Sequence, residues 1–399
     1  MKKQLKDLNL AGKKVLMRCD FNVPMDDYSN ITDDIRIKSS LPSINYILEN
    51  GGSVILMSHL GRPDGKPDEK YSLIPIAKRL ADLLNKEVVF ADYDEVINDQ
   101  VKKMAKRLIP GEVMLLQNTR FRKEETKNGD EFSKELASLA DIFVNDAFGT
   151  SHRAHASNVG VAKYLPSAVG FLIGKELDAI GGALSKPKRP FTAILGGAKV
   201  SDKIGIIENL IDVADNILIG GGMAFTFIRA IGYPVGKSLL EEDKIDLATE
   251  LLKKAEDKDV NIFLPLDFKA TQAFKDTSDF LVVGYKEIPE LYMGLDIGEK
   301  TIMLFESVLE GSQTVIWNGP MGVFEFDNFS QGTNAIAKKL ADLDIITIIG
   351  GGDSAAAVEK AGLADKMTHI STGGGATLEY MEGKVLPGID AIEDLEEVS

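Results

Sequence analysis

Short runs of apolar and β-branched residues alternate along the chain with longer segments of helical periodicity, and this alternation constrains the fold more than any other feature. In the first half, the runs that predict strands are residues 15–18, 53–57, 88–90, 113–116 and 142–145. In the second half they are residues 191–195, 216–219, 261–264, 281–283, 314–317 and 345–349. The segments that predict helices include residues 73–84, 130–139, 241–254 and 333–343. Strands that alternate with helices build parallel sheets from βαβ units, so the sequence predicts an α/β fold.

The length of 399 residues exceeds what one hydrophobic core normally organises, which predicts about two or three domains. We expect the boundary between residues 165 and 190, where Pro166 ends one element and residues 185–190 form a linker of prolines and basic residues. The intervening residues 170–184 can form a helix. The expected fold is therefore two Rossmann-like, three-layer α/β/α lobes with mainly parallel sheets, residues 1–169 and 185–381, joined by that interdomain helix.

Composition and charge exclude several functional classes. The hydrophobic fraction of 44% and the charged fraction of 27% are those of a globular protein. The net charge of −15 argues against non-specific binding to nucleic acids or anionic membranes. Cys19 is the only cysteine, which excludes an intramolecular disulfide and a four-thiolate zinc site and fits a reducing compartment. The charged start is unlike a signal peptide, and the longest uncharged apolar segment, residues 217–228, is shorter than the ~18 residues of a membrane span, so we expect a cytoplasmic protein.

Four glycine clusters distinguish the second half of the chain: residues 195–199, 219–222, 349–354 and 372–375. Glycine allows a sharp turn and a close approach of backbone to ligand, and the N–H groups that begin the next helix can then bind phosphate. A single cluster is as readily a tight turn, but four in one domain favour a nucleotide site. The dinucleotide fingerprint is absent, and residues 232–238 are one spacer residue short of a P-loop and follow a helical pattern, so another arrangement must hold the phosphates.

Two lysines and one aspartate near these clusters are candidates for phosphate and metal binding. Lys199 and Lys203 share one face if residues 199–211 are helical, and an anionic ligand would relieve their mutual repulsion. The alternative is a solvated helix surface, which their position after a Gly-Gly strand end disfavours. Asp353 could hold Mg²⁺ through an oxygen or a water, or it could be the N-cap of the following helix.

The first half of the chain carries histidines and arginines at the ends of its predicted strands. His59, His152 and His155 each accompany an arginine motif, and the arginines are Arg18, Arg36, Arg62, Arg120 and Arg153. The planar guanidinium suits phosphate and carboxylate groups, so several arginines that converge in an acidic protein predict a small polyanionic ligand. Each arginine could instead pair with a surface acid, and His59 could be structural. Zinc is disfavoured because the spacings match no common ligand pattern.

Taken in order, these motifs resemble those of the phosphoglycerate kinase family over nearly the whole chain. They begin at Arg18-Cys-Asp-Phe-Asn-Val-Pro24 and continue with Ser58-His-Leu-Gly-Arg-Pro63, Asn118-Thr-Arg-Phe121 and Asp146-Ala-Phe-Gly-Thr-Ser-His-Arg-Ala-His155. The later ones are Gly196-Gly-Ala-Lys-Val-Ser-Asp-Lys203, Tyr292-Met-Gly-Leu-Asp-Ile-Gly298, Trp317-Asn-Gly-Pro-Met-Gly-Val-Phe-Glu325 and Gly350-Gly-Gly-Asp-Ser354. Gln117, Ser151 and Cys19 depart from common family residues, and none of the three has a proposed chemical role.

The resemblance implies a kinase that transfers a phosphoryl group between MgATP and 3-phosphoglycerate, giving 1,3-bisphosphoglycerate and ADP. It implies a monomer whose residues 1–169 bind phosphoglycerate, whose residues 185–381 bind nucleotide, and whose tail, about residues 382–399, packs back on the first lobe. The implied phosphoglycerate ligands are Asp20, Phe21, Asn22, Arg36, His59, Leu60, Gly61, Arg62, Arg120 and Arg153. The implied nucleotide ligands are Gly196, Gly197, Lys199, Lys203, Gly221, Gly294, Asn318, Pro320, Val323, Glu325, Gly351, Gly352, Asp353 and Ser354, with Asp353 toward Mg²⁺. The implied catalytic residues are Arg36, Lys199, Lys203, Gly352 and Gly375.

The chemistry of such a transfer requires electrostatic stabilisation more than acid–base catalysis. A carboxylate acceptor is already ionised near neutral pH, so no general base is needed. We expect Arg36 to orient it and, with Lys203, to stabilise the transferring phosphoryl group. Closure of a cleft would exclude water, with residues 372–375 and 170–184 as hinge candidates. The alternatives are a nucleotide-dependent dehydrogenase, disfavoured by the missing fingerprint, and a non-catalytic nucleotide-binding protein, disfavoured by the retained Arg36, Lys199 and Lys203.

Overall fold

One six-stranded parallel sheet organises the N-terminal part of the chain in the computed structural model, which describes residues 1–395. Its strands are β1 (Lys14–Arg18), β2 (Ser53–Met57), β3 (Val88–Ala91), β4 (Val113–Leu116), β5 (Ile142–Asn145) and β6 (Ser167–Val169). Their order across the sheet is β3-β4-β2-β1-β5-β6. Val15 of β1 lies opposite Val54 of β2 and Ile142 of β5, which places β1 in the interior of the sheet.

Helices connect these strands, as parallel pairing requires. The connecting helices are α1 (Ile35–Glu49), α2 (Ile74–Leu84), α3 (Asp99–Arg107), α4 (Lys123–Thr126) and α5 (Asp130–Ala137), and α6 (Phe171–Glu176) follows β6. Local sequence sets several ends: the Asn98 side chain accepts the backbone N–H groups of Gln100 and Val101 at the start of α3, and Asn85 ends α2 in the left-handed conformation. Every residue of β2, β4 and β5 is buried, as in a sheet covered on both faces.

The second part of the chain contains one parallel and one antiparallel sheet. Its strands are β7 (Phe191–Leu195), β8 (Asn216–Ile219), β9 (Asn261–Phe263), β10 (Asp267–Thr271), β11 (Leu281–Gly284), β12 (Met293–Ile297), β13 (Thr314–Asn318), β14 (Ile346–Gly350) and β15 (His369–Ile370). The parallel sheet has the order β15-β14-β13-β7-β8-β9. The antiparallel sheet has the order β11-β10-β12.

The remaining helices are α7 (Gly182–Ser185), α8 (Ile204–Ile211), α9 (Ala224–Ala230), α10 (Ile245–Asp257), α11 (Glu299–Glu310), α12 (Gln331–Asp342), α13 (Gly352–Lys360), α14 (Gly375–Met381) and α15 (Pro387–Asp390). Asp267 fixes the start of α11, because its carboxylate accepts the backbone N–H of Lys300 at 3.2 Å and of Thr301 at 2.9 Å. Trp317 is fully buried in the apolar cluster that β13 forms with α11 and α12.

The chain divides into two compact units, Met1–Leu177 together with the residues from Val385, and Asp178–Lys384. We call these unit 1 and unit 2. The division falls within the helical segment that runs from α6 through a π-helical stretch, Leu177–Gly181, into α7. Within unit 1 the C-terminal residues contact β5 and the N-terminal segment: Asn145 Nδ2 donates to the Gly388 carbonyl at 2.7 Å, and Lys2 Nζ donates to the Ile392 carbonyl at 2.8 Å. The last four residues of the predicted tail lie outside the described residues.

Each strand predicted from an apolar run is present, with ends that differ by at most one residue. The sequence prediction missed β6, β10, β12 and β15, which are short or carry polar residues. The condition that residues 199–211 are helical holds only in part: α8 begins at Ile204, and residues 199–203 form a turn. Among residues 1–395, no helix combines the length and the hydropathy that crossing a bilayer demands.

Candidate active site

The carboxyl ends of β1, β2, β4 and β5 lie side by side in unit 1, and the polar motifs follow them. Asp20 and Asn22 come after β1, His59 after β2, Arg120 after β4 and Arg153 after β5. Ligands of open parallel sheets bind at this edge. The strand order therefore gathers motifs that are far apart in sequence.

An ion pair and a set of hydrogen bonds connect several of these residues. Arg36, in the first turn of α1, forms an ion pair with Asp20. The Asn22 side chain accepts the backbone N–H of Gly61 at 2.8 Å, and Arg120 Nη1 donates to the Gly61 carbonyl at 2.8 Å. The loop after β2 is thus held from two sides, while the exposed Arg62 and Arg153 leave their guanidinium groups accessible.

A buried network lies beneath this edge. Arg18 is fully buried, and its Nε donates to Ser157 Oγ at 2.7 Å while its Nη2 lies 3.1 Å from His59 Nδ1. Glu125 is also fully buried and lies 4.0 Å from Arg18 Nη2. Glu125 accepts the Ser157 backbone N–H at 3.0 Å and the Thr119 hydroxyl at 3.2 Å. No sequence motif identified Glu125, because its role depends on contacts with distant residues.

Burial and mutual proximity perturb the pKa values of this cluster. Burial, and then Arg18, lower the pKa of Arg120 to about 10, with Glu125 acting in the opposite direction. Burial and the nearby cations Arg18 and Arg120 lower the pKa of His155 to about 3. Burial, followed by Arg18 and Arg120, holds the pKa of His59 well below its ordinary value. Desolvated cations that repel each other create a site whose free energy falls when an anion binds.

A cavity of about 450 Å³ opens beside this cluster. Its walls are strongly basic and contain one carboxylate; they are formed by Arg62, Asp64, Gly65, Arg120, Arg122, Lys123, Thr126, Lys127 and Arg153. Three of these arginines are among the predicted phosphoglycerate ligands. The predicted ligands Phe21 and Leu60 instead place their side chains in the apolar core, so any ligand contact there would have to come from the backbone.

Unit 2 contains a second cavity, of about 470 Å³, with mainly apolar walls. Of the predicted nucleotide ligands it is lined by Gly197, Gly221, Gly294, Pro320, Val323, Glu325 and Asp353. The sequence missed its apolar walls, which include Phe225, Leu239, Phe268, Phe274, Met293 and Met321. These side chains could not be distinguished from ordinary core residues in the sequence. An apolar cavity with a few polar groups at its margin is typical of small-molecule sites.

Two glycines in the wall of this cavity have no room for a side chain. A Cβ at Gly294 would lie 2.4 Å from Phe225 Cζ, where no side chain fits. Gly221 has a φ of +65°, and a Cβ there would lie 2.6 Å from the Gly197 backbone nitrogen. The glycine clusters after β7 and β8 therefore pack backbone against backbone at the cavity wall. Gly196 belongs to the same contact, since its Cβ position is occupied by the Pro320 carbonyl.

The two predicted catalytic lysines have different environments. Lys203 directly precedes α8, is half-buried, and hydrogen-bonds through Nζ to Asn318 Oδ1. Burial lowers the pKa of Lys203, while Asp202, Asp353 and Glu382 act to raise it. Lys199 is exposed in the turn before it. The two lysines do not share a helix face, because both precede α8 and the turn places them at different depths.

The residues after β14 form a helix start. Gly351 precedes α13 with a φ of +90°, and Gly352 is the first helical residue. Asp353 is exposed and is not the N-cap, which corrects that alternative. Ser354 is buried, and its hydroxyl accepts the Gly319 N–H at 2.6 Å, while Asn318 Nδ2 donates to the Gly350 carbonyl at 2.9 Å. The cavity is thus adjoined, but not lined, by Asn318, Ser354, Gly351 and Gly352. The last predicted catalytic residue, Gly375, is the first residue of α14.

Comparison with known proteins identifies the family of the chain. A family model described as phosphoglycerate kinase matches residues 5–384. The chain is 58% identical over 393 residues to phosphoglycerate kinase of Finegoldia magna and 57% identical over 394 residues to that of Clostridium perfringens, covering 98% of this chain and 99% of each relative. Among solved structures, it is similar to phosphoglycerate kinase of Coxiella burnetii, with a TM-score of 0.91 and 40% identity, and of Pyrococcus horikoshii, with 0.81 and 33%; both alignments cover 98% of each chain.

Proposed function

The chain belongs to the phosphoglycerate kinase family, and on that premise we propose that it transfers a phosphoryl group reversibly between ATP and the carboxylate of 3-phosphoglycerate, giving 1,3-bisphosphoglycerate and ADP, as a kinase of glycolysis and gluconeogenesis. The observation that carries the proposal is the convergence of arginines at one edge of the unit 1 sheet in a protein of net charge −15. A small polyanion is the ligand that such a local concentration of cations would select.

In unit 1, we assign the basic cavity to phosphoglycerate. The cavity is lined by Arg62, Arg120 and Arg153. These residues suit the phosphate, because one guanidinium group can donate two parallel hydrogen bonds to phosphate oxygens. Asp20, Asn22, Arg36 and His59 suit the carboxylate and hydroxyl end. The Asp20–Arg36 ion pair keeps Arg36 next to this end before the substrate arrives.

In unit 2, we assign the apolar cavity to the adenosine part of the nucleotide. Gly197, Gly221, Gly294, Pro320 and Val323 form walls against which a base can lie, and the exposed Glu325 can accept the ribose hydroxyls. Lys199, Lys203 and the residues Gly351–Ser354 would take the phosphates. Asp353 lines the same cavity, and one carboxylate suits a Mg²⁺ ion that arrives with the phosphates and keeps much of its water.

The chemistry follows from charge alone. A carboxylate oxygen of phosphoglycerate attacks the γ-phosphorus, the bond to the β–γ bridging oxygen breaks, and ADP leaves. The acceptor carries no proton, so no base acts. Arg36 and Lys203 would offset the charge on the transferring group, with Lys203 first leaving Asn318. The two ligands must meet for transfer, so ligand-dependent closure stays a prediction, which small-angle scattering with both substrates can check.

A coupled assay that measures ADP formation from ATP, with and without 3-phosphoglycerate, tests the proposal. The complete reaction should require both substrates, and ADP formation without phosphoglycerate would contradict it. Arg36→Ala should lower kcat by about 100- to 1000-fold. Arg79→Ala is the matched control: it removes another unit 1 arginine, which pairs with Asp34, and should change kcat by less than about twofold because partly exposed ion pairs contribute little. Equal kcat values for the two variants would refute the role of Arg36.

We also propose that the protein acts as a cytoplasmic monomer on small-molecule substrates, without nucleic acid or membrane partners. The net charge and the single cysteine support this assignment. Sedimentation of the active enzyme at assay concentration tests the monomer, and a dimer mass would contradict it.

A further inference from the structure

The contact between Arg18 and His59 constrains where the imidazole carries its proton. Arg18 Nη2 lies 3.1 Å from His59 Nδ1, and both residues are buried. A guanidinium group has hydrogen-bond donors and no acceptor, so Nδ1 must accept and cannot carry a proton. A neutral imidazole with a bare Nδ1 carries its hydrogen on Nε2. The geometry thus selects one of the two neutral tautomers.

Arg18 is itself fixed in place. Its Nε donates to Ser157 Oγ at 2.7 Å, and its Nη1 donates to the Cys19 carbonyl. Glu125 lies 4.0 Å from Nη2 and accepts the Ser157 hydroxyl at 2.5 Å, which closes a ring of contacts around the guanidinium. A side chain held on several sides cannot rotate to release His59 without leaving buried groups unpaired.

The charges that face His59 also favour the neutral form. Arg18 comes from β1, Arg120 from the turn after β4, Arg36 from α1 and His155 from the loop after β5, and all four disfavour an imidazolium. The carboxylates nearby are engaged elsewhere: Asp20 pairs with Arg36, and Glu125 binds Ser157. Among the described residues, none forms a hydrogen bond to His59 Nε2, so that atom remains available to a ligand.

We propose that Arg18 is a positioning residue that locks His59 in the neutral tautomer protonated at Nε2, so that His59 offers one uncharged N–H donor to the anionic substrate. The use of that donor rests on the phosphoglycerate site proposed above, whereas the tautomer does not. The arginines attract the anionic substrate electrostatically. His59 donates a directional hydrogen bond to it, and this donor does not change with pH in the physiological range.

Long-range ¹H–¹⁵N correlation spectra of the ligand-free, ¹⁵N-labelled chain test the tautomer directly. The chain has four histidines, and His59→Gln identifies the signals of His59 by their loss. We expect Nε2 protonated, Nδ1 bare, and no titration of either between about pH 5.5 and 8, the window in which an ordinary histidine titrates. A proton on Nδ1, or on both nitrogens within that range, overturns the proposal whether or not the enzyme is active.

A pair of variants tests whether Arg18 is the cause. Arg18→Met combined with Glu125→Gln removes the donor to Nδ1 together with the carboxylate that would otherwise be left buried and unpaired. In this double variant His59 should populate both tautomers. Glu125→Gln alone keeps Arg18 and is the matched control, in which the wild-type tautomer should persist. An unchanged tautomer in a folded double variant overturns the role of Arg18. If the double variant does not fold, the wild-type spectra still test which nitrogen of His59 carries the proton.

Steady-state kinetics test the substrate half of the proposal. A glutamine amide can place an N–H group near the position of Nε2, whereas leucine has the size but no donor. His59→Leu should raise KM for phosphoglycerate by about tenfold or more, the loss expected for one hydrogen bond to a charged group. His59→Gln should raise KM less, and the ratio of the two should not vary with pH. If the spectra show the inferred tautomer but KM is unchanged in both variants, the contact with phosphoglycerate is wrong and the tautomer stands.

Discussion

Asp146 provides a quantitative test of how burial controls stability in unit 1. It directly follows β5, is completely buried, and its Oδ1 accepts the backbone N–H groups of Leu172 at 2.8 Å and Ile173 at 3.2 Å in the first turn of α6. Burial raises the pKa of Asp146 from 3.8 to about 7, although a hydrogen bond from the Ser43 side chain and the two backbone hydrogen bonds act to lower it. Asp146→Asn keeps the acceptor and removes the titrating proton.

The raised pKa converts into a pH-dependent free energy of unfolding. Because the folded protein binds this proton more tightly than the unfolded chain, the contribution to stability is full below about pH 4 and is lost as pH rises through about 7. A shift of about three pKa units corresponds to roughly 4 kcal/mol in total, of which about 2.5 kcal/mol falls between pH 5 and pH 8. The asparagine variant lacks this loss. Its stability relative to the wild type should therefore rise by about 2.5 kcal/mol over that interval.

Urea unfolding at both pH values measures this difference. Labelling of Cys19, the single and buried cysteine, reports unfolding of unit 1, while the fluorescence of Trp317, the single tryptophan, reports unit 2. Asp34→Asn is the control within unit 1, since hydrogen bonds from Lys38 and Arg79 lower the pKa of Asp34. Asp34 is ionised throughout that interval, so its variant should have a constant relative stability. If Asp146→Asn shows the same constancy as the control, the reasoning from burial is refuted.

Three further predictions concern unit 2. Lys203→Met should lower kcat by about 100- to 1000-fold in the coupled assay, because it removes a half-buried cation from the proposed phosphate path; a change in KM alone would argue against that role. Gly294→Ala should weaken ATP binding by roughly tenfold in calorimetry, because its Cβ would lie 2.4 Å from Phe225 Cζ; unchanged affinity would mean that the ring moves freely. Asp267→Ala should destabilise unit 2 by about 1–2 kcal/mol, as loss of a helix cap does, measured by Trp317 fluorescence in urea; no loss would show that α11 does not depend on this carboxylate.

The strands of both parallel sheets could be predicted from the sequence because their signal is local. A run such as Phe191–Leu195 is apolar throughout, and a chain segment of this kind must be buried on both sides wherever it lies. β10 and β12 were missed because they belong to a small antiparallel sheet and carry charged residues, Lys269 and Asp296 among them, that interrupt the apolar pattern. The start of α8 was misplaced because residues 199–203 have no feature that distinguishes a turn from a first helical turn.

The candidate ligands were identified from residue type and from position after a strand, and their ligand-binding roles stay predictions. The structure adds the contacts that motifs do not contain. Asn318, which the resemblance implies as a nucleotide ligand, contacts Lys203 and the Gly350 carbonyl. The apolar wall that includes Phe225 and Leu239 carries no signal in sequence, because apolar residues in helices and loops are usually core.

The sequence alone determined the α/β class, the positions of most strands and the chemical inventory at their ends, because periodicity and residue type act over a few neighbouring residues. Only the tertiary structure decided which of those ends meet. The order β3-β4-β2-β1-β5-β6 brings the residues after β1, β2, β4 and β5 to one edge, and it buries Arg18 and Glu125 against His59. The physical reason is that strand pairing and desolvation are set by contacts between residues far apart in the chain, which local patterns do not record.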